Sequence, residues 1–323
     1  MTNPAPLKRL AILDDYQGVA LSMGPWQDLP PGLEITVFRD TITDQDALAA
    51  RLAPFDAILL MRERTPIRRA LIEKLPNLRL LITTGPRNRS VDDAACAERG
   101  IVFCGTQNYG DPTVDLTWGL ILNLARDIPR QQDSLRAGRW QTHVGMGLEG
   151  KTLGVIGLGK LGGRVATVGK AFGMNILAWS QNLKPERATE IGATAVDKQT
   201  LLREADVITL HLVLSDRSRN TIGADDLAQM KKTAFVVNTS RGPLIDQAAL
   251  IAALKAGTIA GAGLDVFDVE PMPLGHPILD APNTVLTPHL GYVSEQNYRT
   301  YYRCTVEAIH AYLAGAPVRV IKP

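Results

Sequence analysis

Four short segments carry the residue types that chemistry requires. The first is Gly157-x-Gly159-x-x-Gly162, entered by the apolar run 152–156 and left by a helical pattern. The first glycine permits a tight turn, the second lets backbone approach a pyrophosphate, and the third lets the helix pack on the strand. The helix start then offers main-chain N–H groups and partial positive charge to phosphate. Gly157, Gly159, Lys160, Leu161 and Gly162 are therefore candidate dinucleotide-binding residues. The other three segments are Val236-Val-Asn-Thr-Ser-Arg241-Gly242, Gly263-Leu-Asp265-Val-Phe-Asp-Val-Glu270-Pro271 and Leu286-Thr-Pro-His289-Leu-Gly291. Each puts a polar, reactive residue just after a strand-like run. An arginine can grip a carboxylate with its planar fork, and a histidine can move a proton near neutral pH. Taken singly, such an arginine, Glu-Pro or histidine is more often a surface charge, a turn or a packing residue.

The elements that must position these residues alternate. Apolar runs at 7–13, 34–38, 56–61, 78–83 and 101–104 read as strands, with helical stretches at 44–52 and 66–75 between them. Pro66 suits the first turn of the second stretch. Residues 111–137 form a long helical pattern, interrupted near Pro129. A second series of strands follows at 152–156, 175–179, 206–210, 234–238, 259–264 and 284–286, and a final helix runs from Ser294. Strand–helix alternation of this kind predicts parallel sheets with helices on both faces. Two such series predict an α/β protein with two doubly wound parallel-sheet domains, and a ligand at the carboxyl ends of the strands.

The strand at 175–179 is followed by Ser180, where an NAD-binding fold of this type usually has an acid for the ribose hydroxyls. No carboxylate repels a 2′-phosphate there, and no arginine stands at 181 to attract one. The reading favours NAD and leaves NADP open.

In their order along the chain these motifs are similar to those of the D-isomer-specific 2-hydroxyacid dehydrogenase family, which includes the D-3-phosphoglycerate dehydrogenases. The resemblance covers nearly the whole chain. It implies a Rossmann cofactor domain, 108–291, inserted in a flavodoxin-like substrate domain made of 1–107 and 292–323. It implies hydride transfer between NAD(P) and a small D-2-hydroxy acid or 2-keto acid. In that chemistry Arg241 binds the substrate and polarises its keto oxygen. His289 is the general acid or base, and Glu270 orients the imidazole and favours its charged form. By the same resemblance His211, Thr239, Ser240 and Gly291 border the cofactor with Ser180. Asp265 either contacts the nicotinamide amide or caps its turn.

The expected substrate loop is Thr84-Gly85-Pro86-Arg87-Asn88-Arg89-Ser90. The family commonly has a glycine- and valine-rich turn there, whose N–H groups bind a carboxylate. Pro86 has no N–H, and Arg87 is cationic where glycine is usual. Arg62, Gly85, Pro86 and Arg87 are the substrate-binding candidates. Arg89 and Arg64 are further cations at the same mouth, which a phosphate-bearing substrate would suit. Glu270 disfavours the formate dehydrogenases, which carry glutamine there. A phosphite dehydrogenase stays open. The alternative of another class is a dinucleotide-sensing, corepressor-like binding protein with little turnover. The resemblance does not separate it by Arg241, Glu270 and His289, and the absence of appended interaction tails favours the enzyme.

Bulk properties narrow the rest. The 323 residues suffice for two domains, 45% are hydrophobic and 21% charged, and the net charge is +2. That balance argues against a nucleic-acid partner. Cys96, Cys104 and Cys304 have no ligand spacing, so the reading is free or buried thiols and no metal. The N-terminal stretch lacks a leader pattern, and no apolar run reaches the ~18 residues of a membrane span. A cytoplasmic location without a membrane partner is expected. A homodimer is expected too, with Trp118 and Trp140 as apolar surface beyond what one cofactor domain buries.

Overall fold

The computed structural model describes residues 6–323. Residues 1–5, part of the N-terminal stretch read above, lie outside the described residues. The described chain divides into two compact units, one of residues 6–110 with 294–323 and one of residues 111–293.

The first unit is built on five parallel strands: β1 (Arg9–Ile12), β2 (Glu34–Val37), β3 (Ala57–Leu60), β4 (Leu80–Thr83) and β5 (Val102–Gly105). Their order is β2-β1-β3-β4-β5. In β3 and β4 every residue is buried, as expected of strands covered by helices on both faces. Alternate side chains feed a core that includes Leu48, Leu52, Ile58, Leu60, Leu81 and Phe103. The helix Gln45–Leu52 begins where Asp44 accepts a hydrogen bond from the Ala47 N–H at 2.8 Å, one of the orphan donors of a first turn. The chain ends with the helix Glu295–Leu313 and a tail that pairs antiparallel with β5 at Cys104 and Val320.

One expected helix is largely absent. Of the stretch 66–75 only Arg69–Ile72 is helical, and Pro66 does not start it. Ile67 is instead held extended in a parallel bridge to Val91, with its N–H on the Ser90 carbonyl. That pairing fixes the backbone before the helical turn can begin.

The second unit holds seven parallel strands: β6 (Thr152–Ile156), β7 (Asn175–Trp179), β8 (Thr194–Ala195), β9 (Val207–Leu210), β10 (Phe235–Asn238), β11 (Gly261–Leu264) and β12 (Thr284–Leu286). The order β12-β11-β10-β9-β6-β7-β8 reverses direction at β6, so a crevice opens between the ends of β6 and β9. Consecutive residues serve opposite faces. Val155, Val207 and Val237 join one core cluster while Ile156, Ile208 and Val236 join the other, the period-two signature of a strand buried on both sides. The two-residue β8 has no apolar run and escapes a reading by periodicity.

The long pattern 111–137 resolves into helices Pro112–Arg126 and Ile128–Arg136, broken at Asp127, whose φ is +52°. Trp118 does not supply surface for self-association. It is buried in this unit's own core, with its ring 4.9 Å from that of Phe172. Trp140 is 76% exposed. The three cysteines are free and buried. Among the described residues no helix is long and apolar enough to cross a membrane.

Candidate active site

The crevice between β6 and β9 is shaped by missing side chains. Gly157 follows β6 with φ +99°, and a Cβ there would lie 2.7 Å from the His211 carbonyl oxygen. Gly162 lies in the first turn of the helix Lys160–Ala171, and a Cβ there would lie 2.0 Å from the Gly157 carbonyl oxygen. No side chain is therefore tolerated at either place without moving backbone. A Cβ on Gly159 would meet nothing within 4 Å, and no side chain caps the helix that starts after it. The open glycine and the uncapped N–H groups leave room and donors for a pyrophosphate.

Around this turn, Lys160 and Arg164 both reach Asp111, at 2.8 and 2.5 Å. Burial pulls the Asp111 carboxyl up, but its hydrogen bonds to the two cations outweigh that and hold it below the usual range. Leu161 packs on the core beside Val165. Ser180 stands at the end of β7, half-buried, and accepts the Leu183 N–H with its carbonyl. His211 follows β9 with Nε2 3.0 Å from the Thr209 hydroxyl, while its buried Nδ1 meets no partner. Burial pushes this imidazole down to about 4, so it is neutral near pH 7. An orphaned buried nitrogen beside a glycine cradle fits a dinucleotide better than a closed core.

The three reactive segments leave adjacent strands. The Asp265 N–H donates to the Asn238 carbonyl at 3.0 Å, and the Thr287 N–H to the Leu264 carbonyl at 2.9 Å. The ladder thus runs past the strand ends, and the loops begin side by side. Asn238 clamps the first loop: its Nδ2 donates to the Arg241 carbonyl and its Oδ1 accepts the Ser240 N–H. The Thr239 hydroxyl lies 2.9 Å from that of Thr117, and the Ser240 hydroxyl donates to the Leu210 carbonyl. Both hydroxyls thus tie the loop to neighbouring elements, one to the helix Pro112–Arg126 and the other to the end of β9. Arg241 is braced by a 2.7 Å hydrogen bond from Nη1 to the Ser240 carbonyl.

The first loop leans on the second through Gly242, where a Cβ would lie 2.2 Å from the Phe267 carbonyl carbon. The Phe267 N–H in turn donates to Glu270 Oε1 at 2.9 Å. The other Glu270 oxygen bonds His289 Nδ1. A continuous chain of contacts therefore links Arg241, Glu270 and His289. His289 sits in the left-handed region, φ +55°, with its ring edge-on to Tyr292.

Asp265 is the anchor of the third loop. Its Oδ1 accepts the Thr287 hydroxyl and the Leu290 N–H, both at 2.6 Å, and its Oδ2 accepts the Gly291 N–H at 2.8 Å. Its side chain is fully buried. These three hydrogen bonds cap the loop, and burial raises the Asp265 carboxyl against their pull. Gly291 is likewise fixed by Asp265 and by the Thr113 hydroxyl, which donates to its carbonyl. Asn238, Thr287 and Thr113 are the residues that reasoning from motifs passed over. The first two stand inside the quoted segments, but a neutral side chain pointing back at its own loop leaves no mark in spacing.

In the other unit, Arg62 follows β3 with φ +54°. Its N–H donates to the Thr84 hydroxyl and its Nη1 to the Thr84 carbonyl. The guanidinium lies over Gly85, where a Cβ would be 1.6 Å from Nη1. Asn88 fastens the loop by donating to the Thr83 hydroxyl and the Arg62 carbonyl. Arg64 lies over the Tyr16 ring, 5.0 Å from its centroid. Arg87 is exposed, and with Pro86 it lines a cavity of this unit.

Residues 118–291 match the family profile described as D-isomer specific 2-hydroxyacid dehydrogenase, NAD binding domain. The chain is 40% identical over 262 residues to the D-3-phosphoglycerate dehydrogenase of Methanocaldococcus jannaschii, covering 80% of this chain and 50% of that protein. It thus spans about half the length of that relative. It is 34% identical over 306 residues to the glyoxylate reductase of Thermococcus litoralis, covering 92% of this chain and 87% of that protein. Among solved structures, the phosphoglycerate oxidoreductase of Vibrio cholerae o395 superposes with a TM-score of 0.90 at 38% identity, over 96% of this chain and all of that one. On the profile match over 118–291 and these identities, this chain belongs to the D-isomer-specific 2-hydroxyacid dehydrogenase family.

Proposed function

We propose that the protein is an NAD(P)-dependent D-2-hydroxyacid dehydrogenase that reduces a small 2-keto acid or oxidises the corresponding hydroxy acid. The observation that carries this reading is the bond between Glu270 and His289 Nδ1. With Nδ1 committed to a carboxylate, proton transfer to or from the substrate oxygen falls to Nε2. Glu270 is itself aimed by the Phe267 N–H, so the imidazole plane is set from behind. Arg241, braced against the Ser240 carbonyl, is assigned to the substrate carboxylate and the adjacent oxygen. A bound nicotinamide supplies or accepts the hydride.

Gly157, Gly159, Lys160, Leu161 and Gly162 would hold the pyrophosphate at the helix start. His211, Thr239, Ser240 and Gly291 would line the rest of the crevice. The matched domain is described as NAD-binding, which favours NAD. Ser180, uncharged at the ribose position, puts up no barrier to NADP. Arg62 and the Gly85–Arg87 turn are assigned to substrate. In support, the main-chain N–H groups of Arg87 and Asn88 have no acceptor among the described residues, so they offer a carboxylate two donors despite Pro86. The relatives named glyoxylate reductase and D-3-phosphoglycerate dehydrogenase point to a short-chain acid.

We also assign a homodimer, because Leu135, Trp140 and Val144 stand 57%, 76% and fully exposed along one segment. A monomer in light scattering would overturn that assignment.

The test of the reaction follows the near-ultraviolet absorbance of NADH or NADPH with glyoxylate, hydroxypyruvate, pyruvate and 3-phosphohydroxypyruvate. Turnover of at least one acid is expected, falling roughly 10²–10⁴-fold in His289→Ala, the usual worth of a positioned acid or base. Oxidation that persists undiminished in His289→Ala would overturn the assignment.

A further inference from the structure

A second cavity lies wholly within the unit of residues 6–110 and 294–323, away from the glycine turn and from His289 in sequence. Its volume is about 840 Å³, in the range of small-ligand sites. It sits at the end of β5, the edge strand of its sheet. The C-terminal tail covers that edge: the Gly105 N–H donates to the Arg319 carbonyl and the Ile321 N–H to the Phe103 carbonyl. This pairing folds Lys322 back to the cavity that also borders the loop 86–89. Four cations line the cavity, Arg87, Arg89, Arg319 and Lys322, against one carboxylate, Asp93.

The cations are not alike. Arg319 is a wall, spent on Glu307 and on the carbonyls of Gly105 and Cys304. The side chains of Arg87 and Lys322, by contrast, are exposed and make no hydrogen bond or ion pair among the described residues. Both are presented by held backbone. Pro86 restricts the chain before Arg87. Asn88, nearly buried, ties the residue after it to Thr83 and Arg62. The tail pairing holds the residue before Lys322. Like charges gathered on one cavity repel, and they repel less when an anion lies between them. A ligand with two negative charges can accept from both walls at once, and the held backbone leaves only the two side chains to be ordered on binding.

We propose that this cavity is a binding site for a phosphate group, with Arg87 and Lys322 as its two gripping cations. The ligand is free orthophosphate or the phosphate of a small phosphomonoester. The site does not depend on the dehydrogenase reading, since it is tested by binding without turnover.

The experiment titrates inorganic phosphate, and separately 3-phosphoglycerate, into the full chain at low ionic strength by calorimetry. Wild type is compared with Arg87→Ala, Lys322→Ala and Lys322→Arg. Saturable binding is expected, weakened about tenfold by either alanine, the usual scale of one charge-assisted hydrogen bond, and recovered by Lys322→Arg. Tighter binding of 3-phosphoglycerate than of phosphate, lost in Lys322→Ala, assigns the site to a phosphomonoester. Equal binding of the two assigns it to orthophosphate. Phosphate held in the dinucleotide crevice would not respond to Lys322. No saturable binding, or binding unchanged in both alanine variants, overturns the proposal. The Lys322 side chain is exposed and has no hydrogen bond or ion pair among the described residues, so its variants fold, and circular dichroism checks that they do.

Discussion

Asp265→Asn isolates the anchor of the loop that carries His289. The change preserves shape and removes charge. One side-chain oxygen can still accept from the Thr287 hydroxyl and the Leu290 N–H. The other position becomes an NH₂ facing the Gly291 N–H, where the wild type has a 2.8 Å hydrogen bond. Two donors then oppose each other in a place with no access to water. The loss of a hydrogen bond to a charged group and the stranding of a buried donor cost about 2–4 kcal/mol together. The loop can relieve that cost only by moving away from the introduced amide, and His289 lies between the anchored residues 287 and 290. A displacement of about 1 Å at a reacting group lowers turnover on the order of 10²-fold. The assay measures kcat at saturating dinucleotide with the best acid of the panel, and dinucleotide affinity by fluorescence. The expected result is kcat down roughly 100-fold with affinity for the dinucleotide within a few-fold of wild type. A folded variant with kcat within about twofold of wild type would refute the anchoring argument. Affinity lost with kcat intact would show instead that the carboxylate contacts the cofactor directly.

Three further outcomes follow from the same structure. Gly162→Ala puts a Cβ 2.0 Å from the Gly157 carbonyl oxygen, so the turn opens and dinucleotide binding, read by fluorescence titration, falls by at least tenfold; unchanged affinity would contradict the cradle. Gly85→Ala combines a φ of +89° with a Cβ on the Arg62 guanidinium. It lowers stability by about 1–2 kcal/mol through the backbone alone and raises KM by displacing Arg62, whereas a stable variant of normal KM would remove Arg62 from the substrate site. Asp14 is buried and accepts the Thr41 and Thr65 hydroxyls, yet burial outweighs them and raises its carboxyl above the ordinary 3.8. The native state then holds this proton more tightly than the unfolded chain, so its contribution is present below pH 3.8 and is lost as pH rises through the raised value. Thermal melts from pH 3.5 upward, on the order of one unit per step, will show Asp14→Asn gaining on wild type as pH rises; a constant difference would refute the sign.

Much of this architecture is legible in the sequence. A strand such as Ala57–Leu60 announces itself because a strand buried on both faces is an unbroken apolar run bounded by turn residues. Gly157 and Gly162 are legible for a related reason: each fills a place where a Cβ would meet backbone, and only one residue type meets that demand. The helix expected at 66–75 failed because amphipathic spacing is silent about a competing partner. Ile67 finds Val91 across the fold, and that pairing is non-local. Trp118 departs from expectation for the same reason: its burial depends on Phe172, a partner that spacing along one helix does not reveal.

The site itself divides along the same line. Arg241, Glu270 and His289 are visible by type, because few side chains can grip an anion or pass a proton at neutral pH. What holds them is not. Asn238 ties down the turn before Arg241, and Asp265 ties down the turn around His289. Both sit at strand ends, where main-chain donors and acceptors run out of ladder partners. A buried polar side chain at that position closes the account of the loop's hydrogen bonds. Loops that must present a reactive group in one orientation, without the regular pairing of a strand, need such clamps, and the clamp can be any short polar residue of the right reach. Type and spacing therefore reveal the group that touches substrate, while the groups that aim it are fixed by which main-chain atoms are left unpaired, a property of the folded chain alone.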